Sequence, residues 1–168
     1  MDKKQIFKKM QIAIQENSID KVMDIVNTES DCLEMMTPFG TWLHIAASNG
    51  KLAVVKKFVE LGIDINKRGG TFGGGAIERA ASEGYIEIVE YLISYGAEID
   101  TSEPERNILF AAIQGGHLDI VKLLMKKGID TTIKYTGDNM TNMDAIAFAK
   151  EQGQEEIFEF IRNNQFKH

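Results

Sequence analysis

Three histidines, one cysteine and a glycine-rich segment are the parts of this 168-residue chain whose chemistry could serve a catalytic or ligand-binding site. His44 and His117 stand far apart in the sequence, and the third histidine, His168, is the last residue. None of them belongs to a metal-ligand or nucleophile motif such as H-E-x-x-H, C-x-x-C or G-x-S-x-G. Cys32 has no neighbouring histidine, so we expect a buried or idle thiol. The sequence therefore predicts no catalytic residue and no metal site.

The segment Arg68–Gly75, which reads RGGTFGGG, could cradle a phosphate with its backbone N–H groups. However, no Lys-Ser/Thr pair follows it and no G-x-G-x-x-G register fits, so the known phosphate-binding motifs are not met. The glycines favour a hairpin instead, because they accept positive φ angles without steric cost. Phe72 would lie at the tip of this hairpin, where it could insert into a partner. We therefore expect no cofactor, and we keep a small-ligand protein or enzyme that uses this loop as an alternative.

The composition indicates one soluble domain without nucleic-acid or membrane partners. A net charge of −6 disfavours non-specific binding to nucleic acid and suits a partner with a basic surface. Because Cys32 is the only cysteine, no internal disulfide can form, which is typical of a reducing compartment. No apolar run reaches the length of a membrane span, and the N-terminus lacks the apolar core of a signal peptide. We expect a monomeric cytoplasmic protein.

The elements that must position these residues are copies of a repeated helix pair, and Gly40–Asn66 is one complete copy. In this stretch Leu43, Ala46 and Ala47 fall on one helix face. Asn49-Gly50 then ends the helix, and a second apolar helix follows. A helix pair this small cannot bury its apolar face alone, so it must stack on further copies.

Further copies follow at nearly constant offsets. Ala80–Gly84 repeats the end of the first helix 34 residues on, Asn107–His117 follows 32 residues later, and Asp144–Gly153 another 37 residues on. A degenerate copy precedes them, in which Asn17 takes the place of Gly50. The sequence therefore predicts a single domain, 1–168, of about five units. We place these units at residues 1–35, 36–69, 70–101, 102–136 and 137–168.

This pattern resembles that of ankyrin-repeat proteins. The family's TPLH-x-AA and L-x-x-GADVN motifs correspond here to Thr41–His44, Ala46-Ala47 and Gly96–Asp100. The resemblance implies an all-α solenoid of helix pairs with short β-hairpin fingers, in which His44 and His117 tie helix to loop. It also implies a non-enzymatic protein that binds a protein partner through a concave groove and through the fingers.

Candidate partner-binding residues come from the finger tips and from the inner face of the first helices. Trp42 replaces the family's proline; it either packs between finger and helix or is an exposed anchor, since tryptophan is enriched among binding hot spots. Arg79 and Glu83 lie four residues apart and so share a helix face. Tyr135 and Met140 belong to the longest inter-repeat segment, which is either a binding loop or a cover for the last core. The full candidate set is Phe39, Trp42, Phe72, Arg79, Glu83, Arg106, Tyr135 and Met140.

Three segments resemble, more narrowly, small bacterial ankyrin proteins thought to act as immunity proteins against polymorphic toxins. These segments are Arg68–Gly84, Ser102–Leu124 and Lys134–Gly153. The resemblance implies that the partner is a toxin domain, which the chain would bind and block. The alternative is a general scaffold or adaptor, which would bind several partners without inhibiting them.

Overall fold

The computed structural model describes residues 1–71, 73–137 and 139–165, apart from the side chain of Ser30. Within these ranges the chain forms ten α-helices: α1 Lys3–Gln15, α2 Ile19–Thr28, α3 Trp42–Ser48, α4 Leu52–Glu60, α5 Ala76–Glu83, α6 Ile86–Ser94, α7 Ile108–Gly115, α8 Leu118–Lys126, α9 Ala145–Glu151 and α10 Glu155–Asn164. Two strands, β1 Tyr135–Gly137 and β2 Met140–Met143, and two 3₁₀ helices, Ser30–Glu34 and Pro104–Arg106, complete the structure of these residues. No helix in the described ranges combines the length and the apolar content that a membrane crossing requires.

The helices form consecutive pairs, from α1 with α2 to α9 with α10, and the first helices of neighbouring pairs stack on one another in chain order. Small side chains permit this close packing, because they let helix backbones approach without leaving cavities. Each of the four stacked helices α3, α5, α7 and α9 buries one alanine completely at an equivalent position: Ala46, Ala80, Ala112 and Ala149. The predicted all-α solenoid is therefore confirmed, whereas the division into five units at the boundaries given above stays a prediction.

The turn inside each helix pair uses the left-handed backbone region, as the repeat pattern predicts. The φ angle is +68° at Gly50 and +85° at Gly84, and Asn17 takes the same role in the first pair with a φ of +52°. Asparagine is one of the few residues with a side chain that tolerates this region. Gly50 is restricted further, because a Cβ at this position would lie 2.4 Å from the ring of Tyr85.

His44 and His117 each connect their own helix pair with an adjacent part of the chain. His44 Nε2 lies 3.0 Å from the carbonyl oxygen of Gly74, and since a carbonyl only accepts, this nitrogen carries the proton. The Thr41 N–H donates to His44 Nδ1 at 3.2 Å. Burial lowers the pKa of His44, in agreement with a neutral ring. His117 Nε2 lies 3.0 Å from the carbonyl oxygen of Ser82, so it connects the start of α8 with α5.

The segments between the helix pairs differ from the predicted β-hairpin fingers. The first of these segments, 35–40, is called the first finger and contains a single bridge, between Thr37 and Gly40. Among the residues that the structure describes, only the last segment, which holds β1 and β2, forms an antiparallel ladder. In the described part of 68–75 the chain makes turns without a strand, and 101–106 contains the second 3₁₀ helix. Glycine is a poor strand former, and Pro104 has no N–H to donate to a ladder, which explains both differences.

Candidate functional site

A groove of about 600 Å³ runs along the stacked first helices. Its walls come from α5, the second 3₁₀ helix and α7, and it is completed by β2 and α9. Three of the predicted residues, Arg79, Glu83 and Met140, line it together. The residues that define the groove are Gly74, Glu78, Arg79, Ser82, Glu83, Pro104, Glu105, Phe110, Ala111, Gln114, Met140, Phe148 and Gln152.

The floor of the groove is aromatic. Phe110 from α7 and Phe148 from α9 stack with ring centroids 4.4 Å apart and an angle of 8° between the rings. The ring of Tyr135 packs edge-on against Phe110, with the centroids 5.1 Å apart. Met140 is half-buried beside them. Because these rings are already packed against one another, the floor exists before any partner arrives.

Phe110 and Phe148 were not among the residues singled out from the sequence. The repeat alignment contains the signal that would have found them, because Phe110 occupies the place of His44 and Phe148 the place of Arg79. Phe110 stands where two other copies carry His44 and Glu78, and a large apolar residue at such a position indicates a local change of surface. In this chain that change places the rings of Phe110 and Phe148 in the lining of the groove.

The rim of the groove carries more acidic than basic side chains. Glu83 and Glu105 are exposed, and Gln114 and Gln152 add neutral polar groups. Arg79 is the only basic residue that lines the described groove.

Arg79 lies towards one end of this rim. Its Nη2 lies against the preceding glycine-rich loop, since a Cβ built on Gly70 would be 3.0 Å from that atom. The backbone of Gly70 in turn packs against the first finger, because the same Cβ would lie 2.9 Å from the carbonyl carbon of Phe39. The positive charge of Arg79 is therefore placed on the side of the groove that faces the preceding unit.

Glu78 lies at the base of the groove and is only 6% exposed. Its Oε2 accepts a hydrogen bond from the Gly75 N–H at 2.7 Å, which closes the start of α5. Burial raises the pKa of the Glu78 carboxyl, although this hydrogen bond and the charge of Arg68 act in the opposite direction. The Gly75 N–H is thus occupied by a side chain of the same molecule. This removes one donor that a phosphate bound by the glycine-rich loop would need.

Arg106 lies outside the groove lining, although it follows Glu105 directly. Its guanidinium lies 3.3 Å from the Glu103 carboxylate and 3.8 Å from that of Asp100. Arg68 pairs with the same Asp100 carboxylate from the preceding loop. Arg106 therefore contributes to a contact between two loops, and its use as a partner contact stays a prediction.

Trp42 is completely buried, so its interpretation as an exposed anchor is wrong. The indole N–H donates to the carbonyl oxygen of Cys32 at 2.8 Å, and the ring centroid lies 5.8 Å from that of Phe7. A buried tryptophan normally satisfies its single donor in this way. Trp42, the first residue of α3, therefore packs against α1 and the first 3₁₀ helix, and it is removed from the candidate binding surface.

Tyr135 is also buried, at 8% exposure, which contradicts its placement as a partner-binding residue of an open loop. Its hydroxyl donates to the carbonyl oxygen of Thr101 at 2.7 Å and accepts from Asn107 Nδ2 at 2.9 Å. Burial raises the pKa of this hydroxyl. The hairpin of β1 and β2 therefore folds back onto the helix stack as a cover, while Met140 of the same hairpin remains at the groove.

Phe39 is 60% exposed, and its ring stacks on that of Phe7 with the centroids 6.4 Å apart. It lies in a separate hollow of about 1010 Å³ between α1 and the first finger, and not in the groove. Its role as a partner contact stays a prediction. Phe72, the remaining predicted residue, lies outside the described residues.

Acidic, histidine and cysteine side chains do not converge in the part of the chain that the structure describes. No group of three or more of them is placed there to hold a metal ion. Cys32 is 4% exposed, and burial raises the pKa of its thiol. Because the thiolate is the reactive form, this environment makes the sulfur less nucleophilic.

Comparison with known proteins points to one family. The family model for ankyrin repeats in three copies matches residues 10–103 and 77–167. Mouse protein phosphatase 1 regulatory subunit 27 is 30% identical over 118 residues, which cover 70% of this chain and 76% of that protein. The ankyrin repeat and KH domain-containing protein mask-1 of Caenorhabditis elegans is 29% identical over 151 residues, or 74% of this chain. Palmitoyltransferase AKR1 of Lachancea kluyveri is 24% identical over 154 residues, or 88% of this chain.

The chain covers very different shares of these three relatives. The chain spans only 6% of the length of mask-1 and 21% of the length of the palmitoyltransferase, so the second match concerns a repeat region and not a whole enzyme. The phosphatase subunit is matched over most of its length and is named for regulating another protein. Together with the stacked helix pairs, these matches support a protein–protein interaction module. The chain belongs to the ankyrin-repeat family.

Proposed function

We propose that this chain is a non-enzymatic module that binds a protein partner in the groove described above. The observation that carries the proposal is that Arg79 and Glu83 of α5 and Met140 of β2 line one surface over a preformed aromatic floor. A rigid stack of helices loses little conformational entropy when a partner binds. The proposal places the protein in the cytoplasm as a monomer.

Site-directed cross-linking tests this proposal. Gln114 is exposed and lines the groove, whereas Glu90 is exposed on α6 outside it. Gln114→Cys and Glu90→Cys are each labelled with a maleimide benzophenone; Cys32 is buried, so the introduced thiol reacts first. Both proteins are irradiated in lysate of the source cells. We expect one protein to be linked from position 114 and not from position 90, and linkage from neither position would contradict the proposal.

A finer proposal is that the partner is a toxin domain and that the chain is its immunity protein. This proposal is supported by the resemblance of Arg68–Gly84, Ser102–Leu124 and Lys134–Gly153 to immunity-type ankyrin proteins. Such a protein neutralises one partner by covering its active site or its substrate.

Growth of cells that express the cross-linked partner tests the finer proposal. We expect the partner alone to arrest growth, co-expression of the chain to restore it, and Glu83→Lys in the groove to abolish the rescue. A partner that is harmless alone, or several partners that keep their activity when bound, would instead indicate an adaptor.

A further inference from the structure

The floor of the groove suits a large apolar side chain. Phe110 and Phe148 line this floor, although their neighbours cover most of each ring and leave 3% and 7% exposure. Met140 and the small Ala111 line the same floor, and both are partly exposed. A side chain of the size of leucine, methionine or phenylalanine laid here would remove Met140 from water. Because a thioether is polarizable and flexible, this floor adapts to several apolar shapes.

The rim next to this floor suits a cation. Glu83 and Glu105 are exposed carboxylates that line the groove. The charge of Arg106 is offset by carboxylates outside the groove, and the charge of Arg79 lies towards Gly70 at one end. Two acidic groups at the mouth of the groove attract positively charged groups of a partner and disfavour carboxylates.

We infer that the groove takes a partner segment in which a lysine or arginine stands beside a large apolar side chain. The apolar side chain lies on Phe110, Phe148 and Met140, and the cationic group lies between the carboxylates of the rim. This inference rests on the proposed function, and it adds the chemistry of the segment that is bound. It also gives a structural basis to the basic partner surface that the net charge alone suggests.

Selection from a random peptide library displayed on phage tests the inference without knowledge of the partner. The full chain is immobilised, and bound phage are sequenced after several rounds. We expect enriched peptides to carry a lysine or arginine next to leucine, methionine or an aromatic residue. Enrichment of acidic or purely polar peptides, or no enrichment, overturns the inference.

Removal of the rim charges tests the cationic half of the inference. Glu83→Gln combined with Glu105→Gln preserves the side-chain shapes, and we expect the affinity for an enriched synthetic peptide to fall about five- to tenfold at low salt. The difference shrinks at high salt, because exposed charges are screened. Glu87→Gln combined with Glu90→Gln removes the same charge from exposed positions of α6 and leaves the affinity unchanged. Equal losses in the two double variants, or no loss in either, overturn the inference.

Truncation of one methionine tests the apolar half. Met140→Ala lowers the affinity for the same peptide about fivefold, because the apolar side chain of the peptide loses one contact surface. Met36 is 46% exposed in the separate hollow near Phe39, so Met36→Ala serves as the matched control and leaves the affinity unchanged. An unchanged affinity of Met140→Ala overturns this half.

The two sets of experiments separate the inference from the proposed function. A groove that is cross-linked to a protein but selects acidic peptides leaves the proposed function in place and overturns the inference. A groove that selects basic, apolar peptides but is cross-linked to no protein supports the inferred chemistry and contradicts the function.

Discussion

Two aromatic residues in the loops of this protein, Phe39 in the first finger and Tyr135 in the last, have opposite environments. Phe39 is 60% exposed, and its ring stacks on that of Phe7. Tyr135 is 8% exposed, and its hydroxyl bonds to Thr101 and Asn107 of the preceding segment. The position of an aromatic residue in a loop therefore does not decide its role. Tyr135 is held by the hydrogen bonds of its hydroxyl to the adjacent segment, whereas the ring of Phe39 has no group that could form such bonds.

Among the variants that test this contrast, Tyr135→Ala should change stability most. We expect the free energy of unfolding to fall by about 3 kcal/mol, because a buried ring and two hydrogen bonds are lost together. Urea unfolding followed by circular dichroism measures the change. Tyr95→Ala is the matched control, since Tyr95 is 59% exposed and should lose less than about 1 kcal/mol. Equal losses in the two variants would contradict the structural role of Tyr135.

A sharper test is Tyr135→Phe, which keeps the ring and removes only the hydroxyl. We expect a loss of about 1–2 kcal/mol, because Asn107 Nδ2 and the Thr101 carbonyl are left without this partner. The same urea titration measures it. A variant as stable as the wild type would mean that burial of the ring alone holds the hairpin, and that the hydroxyl is dispensable.

The smallest effect is expected for Phe39→Ala. We expect the free energy of unfolding to stay within about 0.5 kcal/mol of the wild type, because the ring is mostly in water already. Trp42 is the only tryptophan and is fully buried near this finger, so its fluorescence follows local unfolding. A loss as large as that of Tyr135→Phe would remove the contrast between the two loops. The affinity of the Phe39→Ala variant for a peptide bound in the groove should also equal that of the wild type, since Phe39 lies in a separate hollow.

The repeat architecture could be predicted from the sequence because each copy carries its own local signal. The equivalence of Asn17 with Gly50 was found from spacing alone, and both residues have positive φ angles in the structure. The shared surface of Arg79 and Glu83 follows from helical spacing in the same way. These features depend on residues that are close in the chain.

The features that could not be predicted depend on residues about one repeat apart. Nothing near Tyr135 in the sequence shows that Thr101 and Asn107 will receive its hydroxyl, because they lie 34 and 28 residues away. Trp42 differs in that its acceptor, the backbone carbonyl of Cys32, lies only ten residues before it, but a backbone carbonyl carries no sequence signal. The sequence alone therefore does not show whether an aromatic residue between helices is buried or exposed, because this depends on where the adjacent parts of the fold lie.

The polar contacts between neighbouring units have a consequence for how this chain folds during synthesis. His44 contacts Gly74, Arg68 contacts Asp100 and Tyr135 contacts Thr101, and these partners are separated by 30, 32 and 34 residues. Each contact thus becomes possible as soon as one more helix pair has left the ribosome. Short loop closures of this kind cost little entropy and favour rapid folding. We expect the chain to add its units to a growing folded end, from the N-terminus onwards, without waiting for the last residue.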